Sequence, residues 1–256
     1  MDTNQAAQVA DFIVRWLRET AAESQTKGYV VGLSGGIDSS VVALLCRKAF
    51  PENTLGLIMH CQTDPKDAAD ARRLADRGKL PCEEVFLDRV YGAFIEAVRA
   101  TPGGDPALAL ANIKPRLRMT TLYYYANRFT YLVAGTTNRS EMKVGYFTKY
   151  GDGGVDVEPI IHLTKGQVRD LGRYLGVPDE IIIKPPSAGL WKNQTDEGEL
   201  GLTYAVLDHY LVTGEADPAV RERIEHLSRI SEHKRHPPSI PPPPPGLNYR
   251  IGLDDC

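Results

Sequence analysis

Nothing in this chain matches Gly-x-x-x-x-Gly-Lys-Ser/Thr, which removes the Walker loop from the ways it could hold a phosphate. Cysteine is scarce. Cys46, Cys61, Cys82 and Cys256 show no C-x-x-C spacing, which argues against a zinc site and against a secreted disulfide framework, and makes a reducing cytoplasm the expected setting. Long apolar runs are missing too: no window approaches the roughly 20 residues of a membrane span, and the N-terminal segment is amphipathic rather than uniformly apolar. A soluble protein with no membrane partner is expected. Nor does one sign of charge dominate, since 30 Lys+Arg against 33 Asp+Glu leave a net charge of −3. No global field draws in nucleic acid, and a basic site for an anionic ligand has to be local.

What is present begins with Leu33-Ser34-Gly35-Gly36-Ile37-Asp38-Ser39-Ser40. Before it, Tyr29 to Leu33 is a short apolar β-favouring run; after it, Val41 to Leu45 continues as a helix face. Strand, glycine turn and helix are the implied order. Gly35 and Gly36 let backbone N–H groups approach a ligand, Ser34, Ser39 and Ser40 offer hydroxyls, and a helix N-terminus faces the anion. Asp38 stands where a lysine is often found. A carboxylate beside phosphates makes sense with a cation such as Mg²⁺ between them; otherwise Asp38 is a helix-capping residue in a plain glycine turn.

Around this loop the pattern alternates. Val9, Phe12, Ile13, Trp16 and Leu17 predict an amphipathic helix over 4–24, its stripe serving the core or a subunit contact. Strands are predicted at 55–59, 83–87 and 131–134, with a β-like run to Ile161. Helices are predicted from Asp64-Pro65 to Gly78, over 90–100 and 113–128, and from the Thr164/Gln167 capping box to Gly176. Two more, over 204–211 and 219–234, close the fold. Thr101 to Pro106 reads as a surface loop, and 184–201, polar with glycine and proline, as a lid. The fold class is α/β: a Rossmann-like, doubly wound, mainly parallel sheet of about five strands with helices on both faces. Ligands on such a sheet gather at the strands' carboxyl ends, which brings Ser34 and the turn Gly135-Thr136-Thr137-Asn138 to one edge. The domain is expected over 1–236. A proline-rich tail, 237–256 with five consecutive prolines at 241–245, would be polyproline II.

Ser-Gly-Gly-X-Asp-Ser after a strand resembles the loop of the N-type ATP pyrophosphatases, which cleave ATP between the α and β phosphates. Four later stretches narrow the choice: 112–119, 135–141, 145–156 (Gly-Tyr-Phe-Thr-Lys-Tyr-Gly-Asp-Gly-Gly-Val-Asp) and 231–235 (Ser-Glu-His-Lys-Arg). In this order they resemble NAD synthetase over nearly the whole stretch from Gly32 to Arg235. The resemblance implies the ammonia-dependent form, since 256 residues leave no room for a glutaminase domain of roughly 150 residues. It implies a ligase that adenylates the carboxylate of deamido-NAD with ATP and Mg²⁺, then lets ammonia displace AMP. Carried over by motif position, Gly32, Leu33, Ser34, Gly35, Gly36, Ile37, Asp38 and Ser39 with Thr136, Lys165 and Ser187 hold ATP; Asp38 and Glu141 bind Mg²⁺; and Asp38, Glu141 and Lys165 are catalytic. Arg116, Lys149, Asp156, His233 and Lys234 match deamido-NAD contacts, and a homodimer is implied. No general base is called for. The turn after the fourth strand reads Thr137-Asn138 where many relatives have Asp-His, and Met59 to Thr63 lacks their arginine. Two other classes stay open: another adenylating enzyme such as a tRNA thiolase, disfavoured by the lack of paired cysteines, and a non-catalytic nucleotide sensor.

Overall fold

The structure, a computed structural model, describes residues 1–98, 106–191 and 194–242. Asp2 accepts the Gln5 N–H in a capping box and starts α1 (Thr3–Glu23). Then follow β1 (Gly28–Gly32), α2 (Ile37–Ala49), β2 (Thr54–His60), α3 (Pro65–Gly78), β3 (Cys82–Phe86), α4 (Asp88–Val98), α5 (Pro106–Ala111), α6 (Ile113–Phe129) and β4 (Tyr131–Ala134). The last third holds α7 (Arg139–Val144), α8 (Lys165–Leu175), α9 (Asp179–Ile182), α10 (Asp196–Leu200), α11 (Tyr204–Thr213), α12 (Pro218–Ile230) and a 3₁₀ turn, Glu232–Lys234.

Four parallel strands form one sheet in the order β3-β2-β1-β4. Side chains alternate along each strand, so both faces need covering. Tyr29 and Val31 of β1, Ile58 of β2 and Ala134 of β4 pack with Leu17 of α1, Leu45 of α2 and Leu171 of α8. Val30, Leu57, Met59 and Val133 turn the other way, onto Tyr91 of α4 and Ala126 of α6. Each fully buried leucine here contributes about 2 kcal/mol. A third, smaller cluster joins Val144 of α7, Tyr204 and Leu207 of α11 and Ile224 of α12. The chain leaves β1 to one side for β2 and β3 and returns on the other for β4. The switch point therefore lies between β1 and β4, where a ligand crevice opens at the strands' carboxyl ends.

Several expectations change. The fifth strand is a single parallel bridge, Ala134 to Val157. The Asp156 carboxylate takes the Val133 N–H at 2.8 Å, and Pro159 has no N–H to extend a ladder. The apolar stripe of α1 is interior: Ala10, Ile13, Val14 and Leu17 are buried, and α1 packs on α2 and α8. Only Phe12 of that helix stands out as an exposed large apolar residue, at 62%. The last helix stops at Ile230 rather than 234, and α5 precedes α6 without having been foreseen. Most of the 101–106 loop and of the five-proline run lies outside the described residues.

Candidate functional site

The turn between β1 and α2 braces itself. Gly35 has φ 76°, a region that favours glycine, and a Cβ there would stand 2.2 Å from the Asp67 carbonyl oxygen. The Ser34 and Ser39 hydroxyls are 3.0 Å apart, and Ser40 Oγ donates to the Gly36 carbonyl at 2.7 Å. Gly36, at the N-cap of α2, brings no side chain to cap it, so the first N–H groups of a 13-residue helix remain for an anion.

Asp38, in the first turn of α2, meets two residues from far along the chain. Lys165 Nζ donates to Asp38 Oδ2 at 2.6 Å and to Glu141 Oε1 at 3.0 Å. Each partner is fixed by a helix start. Asn138 caps α7 in a box with Glu141, so the carboxylate sits over its own helix N-terminus. Thr164 caps α8 in a box with Gln167, which makes Lys165 the first helical residue. Asn138 Nδ2 then donates to Asp38 Oδ1 at 2.9 Å and ties α7 to the loop. The Lys165 side chain is 3% exposed, so its charge depends on its two carboxylates. Burial works against that charge, but Asp38 and Glu141 more than offset it and hold the ammonium above its usual pKa. Burial likewise pushes the Glu141 carboxyl up, Lys165 pulls it back, and Asp38 adds repulsion. The Tyr204 ring lies 4.9 Å below Lys165 Nζ, and its hydroxyl donates to Asp196 Oδ2 at 3.0 Å.

These groups open onto a cavity of 440 Å³, a size suited to a small-molecule ligand. Apart from Gly35, which makes the turn, every predicted loop residue from Gly32 to Ser39 lines it, as do Thr136, Glu141, Lys165, Ser187 and Lys234. Arg116, Lys149, Asp156 and His233 lie outside it. Arg116 donates to the Lys149 carbonyl at 3.3 Å, and Lys149 Nζ to the His233 carbonyl, forming a chain along one rim. Asp156 is occupied elsewhere, by Val133 and by the Tyr123 hydroxyl at 2.9 Å. Lys234 donates to the Gly145 and Phe147 carbonyls at 2.7 and 2.8 Å and fastens the glycine-rich segment to the 3₁₀ turn after α12.

Sequence reasoning passed over several lining residues. Arg118, two positions after the predicted Arg116, faces the cavity with one hydrogen bond, to Thr63 Oγ1 at 3.3 Å. The i, i+2 separation puts the two arginines on different faces of α6, a distinction the sequence already carried. Lys184 was unassigned within the lid segment. It pairs with Asp67 at 2.5 Å and Asp70 at 2.7 Å and reaches the Gly35 carbonyl at 3.3 Å. Farther on, Lys114 Nζ donates to the Leu190 carbonyl at 2.7 Å. The segment is pinned at both points over the phosphate loop. Asp196 and Tyr204 carried no recognisable motif.

Two carboxylates already sharing a cation, the Lys165 ammonium, form a hard oxygen pair of the kind Mg²⁺ takes. Among the described residues no group of three or more His, Cys, Asp or Glu comes together to hold a metal. The pair thus suits an ion whose remaining ligands are substrate phosphates and water.

Residues 9–238 match the family model described as NAD synthase. An NH(3)-dependent NAD(+) synthetase of Carboxydothermus hydrogenoformans is 54% identical over 90% of this chain and 95% of its own length. The structure of an NMN synthetase from Francisella tularensis has TM-score 0.88 and 36% identity, covering 93% of this chain and 98% of that one. An NH3-dependent NAD synthetase from Campylobacter jejuni has TM-score 0.76 and 30% identity, covering 94% and 99%.

Proposed function

The chain belongs to the NAD synthase family, and from that premise we propose how it carries out the ATP-dependent amidation of deamido-NAD by ammonia. A carboxylate is a poor acyl donor, so it is first adenylated: its oxygen attacks the α-phosphorus of ATP and pyrophosphate leaves. Ammonia then adds to the acyl carbon, AMP departs, and the proton released goes to solvent. Both substrates are anionic, so the protein's task is positioning and charge neutralisation.

The observation that carries this reading is the Asp38–Lys165–Glu141 cluster beside an uncapped helix N-terminus. The loop N–H groups with Ser34 and Ser39 receive phosphate oxygens, Thr136 and Ser187 offer hydroxyls at the cavity wall, and Lys165 supplies positive charge where pyrophosphate separates. Asp38 and Glu141 would hold Mg²⁺, which when bound neutralises phosphate charge and polarises phosphorus. Arg116, Lys149, Asp156, His233 and Lys234 remain the proposed deamido-NAD contacts. Four of them lie on the outer surface of a single chain's cavity, which suits a substrate extending beyond it. A homodimer is part of the same reading. Val90, Phe94 and Val98, four apart on α4, are 51%, 39% and 39% exposed, and this stripe replaces α1 as the proposed contact.

A second acceptor is favoured by one finding, the TM-score of 0.88 to an NMN synthetase. The test is an assay with ATP, Mg²⁺ and ammonium and either deamido-NAD or nicotinic acid mononucleotide, following amide and pyrophosphate separately. Equal yields of NAD and pyrophosphate with deamido-NAD, at a higher kcat/KM than with the mononucleotide, are expected. Pyrophosphate with neither acceptor would refute the reading.

A further inference from the structure

The start of α8 is closed where the start of α2 is open. The capping box satisfies the Thr164 and Gln167 N–H groups, Ser140 Oγ takes the Lys165 N–H at 3.1 Å, and Asp208 Oδ2 takes the Gly166 N–H at 2.7 Å. No first-turn N–H of α8 is left for a substrate anion. Asp208 comes from α11, and its other oxygen, Oδ1, accepts the hydroxyl of Ser140 at 2.5 Å. Ser140 is fully buried in α7. One carboxylate therefore grips two helix starts: Ser140 precedes Glu141, and Gly166 follows Lys165. A cap for α8 alone needs only one of these oxygens. Four residues earlier on the same face of α11, Tyr204 sets its ring 4.9 Å from Lys165 Nζ and its hydroxyl 3.4 Å from Glu141 Oε1. That face of α11 thus meets the Lys165–Glu141 pair twice, Tyr204 at the side chains and Asp208 at the residues beside them.

We propose that Asp208 is a positioning residue for the amidation: by holding α7 and α8 through Ser140 and Gly166, it sets Lys165 Nζ 3.0 Å from Glu141 Oε1. The inference rests on the amidation reading and adds to it a residue that touches neither substrate. Small shifts matter here, since a displacement of about 1 Å at reacting groups costs about 10²-fold in rate. Asparagine is the informative replacement. It keeps the shape, but its amide turns an N–H toward one of two groups that both donate, so one contact is always lost. Losing either contact frees α8 to shift against α7, while the phosphate loop, braced by its own serines, stays in place.

The test compares Asp208→Asn, Ser140→Ala and the double variant in the full chain, by amidation kinetics at saturating Mg²⁺ and by melting temperature. Each single variant should lower kcat about tenfold and leave the KM for ATP and for deamido-NAD within about twofold. Because the two residues act as one bracket, the double variant should fall little further than the worse single one. Losses that multiply, a KM that rises while kcat holds, or a lowered melting temperature with unchanged kinetics would each overturn the proposal and leave Asp208 an ordinary cap. Should Asp208→Asn not fold, Ser140→Ala still decides the matter, since it removes one hydroxyl and leaves Asp208 its contact with Gly166. A crystal structure of that variant gives a reading that needs no turnover. Lys165 Nζ should lie beyond hydrogen-bonding distance of Glu141, at more than about 3.5 Å. An unchanged contact of 3.0 Å would contradict the proposal. If the wild type forms no amide from ammonium, the amidation reading fails, and the position of Lys165 in the variant still tells whether the bracket holds.

Discussion

Lys165 is the residue on which the site turns, because its ammonium occupies the space where Asp38 and Glu141 would otherwise repel. Substituting Asp38 by Asn leaves the Asn138 contact a partner but removes one charge of the pair. Turnover should fall by about 10²-fold or more, as when other charge-stabilising groups are lost from active sites. Near-normal steady-state rates at limiting Mg²⁺ would contradict this. Glu158 gives a pH prediction. Burial raises its carboxyl to about 8, while the Thr137 N–H at 3.0 Å opposes the shift. A carboxyl whose pKa is higher folded than unfolded binds more protons in the native state, so its contribution is full below the unfolded value and is lost as pH rises through the folded one. Stability should therefore decline between about pH 4.5 and 8, by at most about 1.4 kcal/mol per pH unit from this group. Melting temperatures across that range should fall less steeply for Glu158→Gln than for the wild type. Parallel curves would remove Glu158 as the cause.

At the scale of elements, helix starts place the chemistry: α2 presents the loop, α7 presents Glu141 and α8 presents Lys165. Their signals were local. The Thr164/Gln167 box, Gly35-Gly36 and Pro65 each act through a backbone group within a few residues, and so were legible in the sequence. The shortened fifth strand was not, because an Asp156 side chain replaces the ladder there and an apolar run cannot reveal it. Tyr204 was invisible for a related reason: its meaning comes from contacts with Glu141 and Lys165, dozens of residues away, and Asp196 takes its place from Tyr204. Gly35→Ala should both destabilise the fold by more than about 1 kcal/mol and abolish ATP binding, given the φ of 76° and the 2.2 Å approach to Asp67. Calorimetry with an ATP analogue checks it, and binding at wild-type affinity would refute the loop's role. The 184–191 stretch should show slower hydrogen exchange with ATP, and Lys184→Met should accelerate exchange there without ligand. Unchanged protection in both would remove the lid.

For the whole molecule, no described helix is long and apolar enough to cross a membrane, in keeping with the lack of long apolar runs in the sequence. The family emerged from the order of five motifs, each of which contributes residues to the cavity at the switch point between β1 and β4. Helical spacing marks an apolar stripe but not what covers it, and of the two covers expected for α1, core or subunit, the core is the one observed. On α1 the cover is α2 and α8; on α4 the stripe is open. Phe94→Glu should shift the mass by light scattering at micromolar concentration from dimer to monomer. A wild-type monomer, or a variant that stays dimeric, would count against that face.

The central claim is that the cluster beside the phosphate loop adenylates the acceptor's carboxylate before nitrogen arrives. It is tested most directly by labelling both carboxylate oxygens of deamido-NAD with ¹⁸O, running the reaction with ATP, Mg²⁺ and ammonium, and weighing the products by mass spectrometry. Attack on the α-phosphorus predicts one ¹⁸O in each AMP and none in pyrophosphate. Unlabelled AMP, or label in the pyrophosphate, would contradict the account.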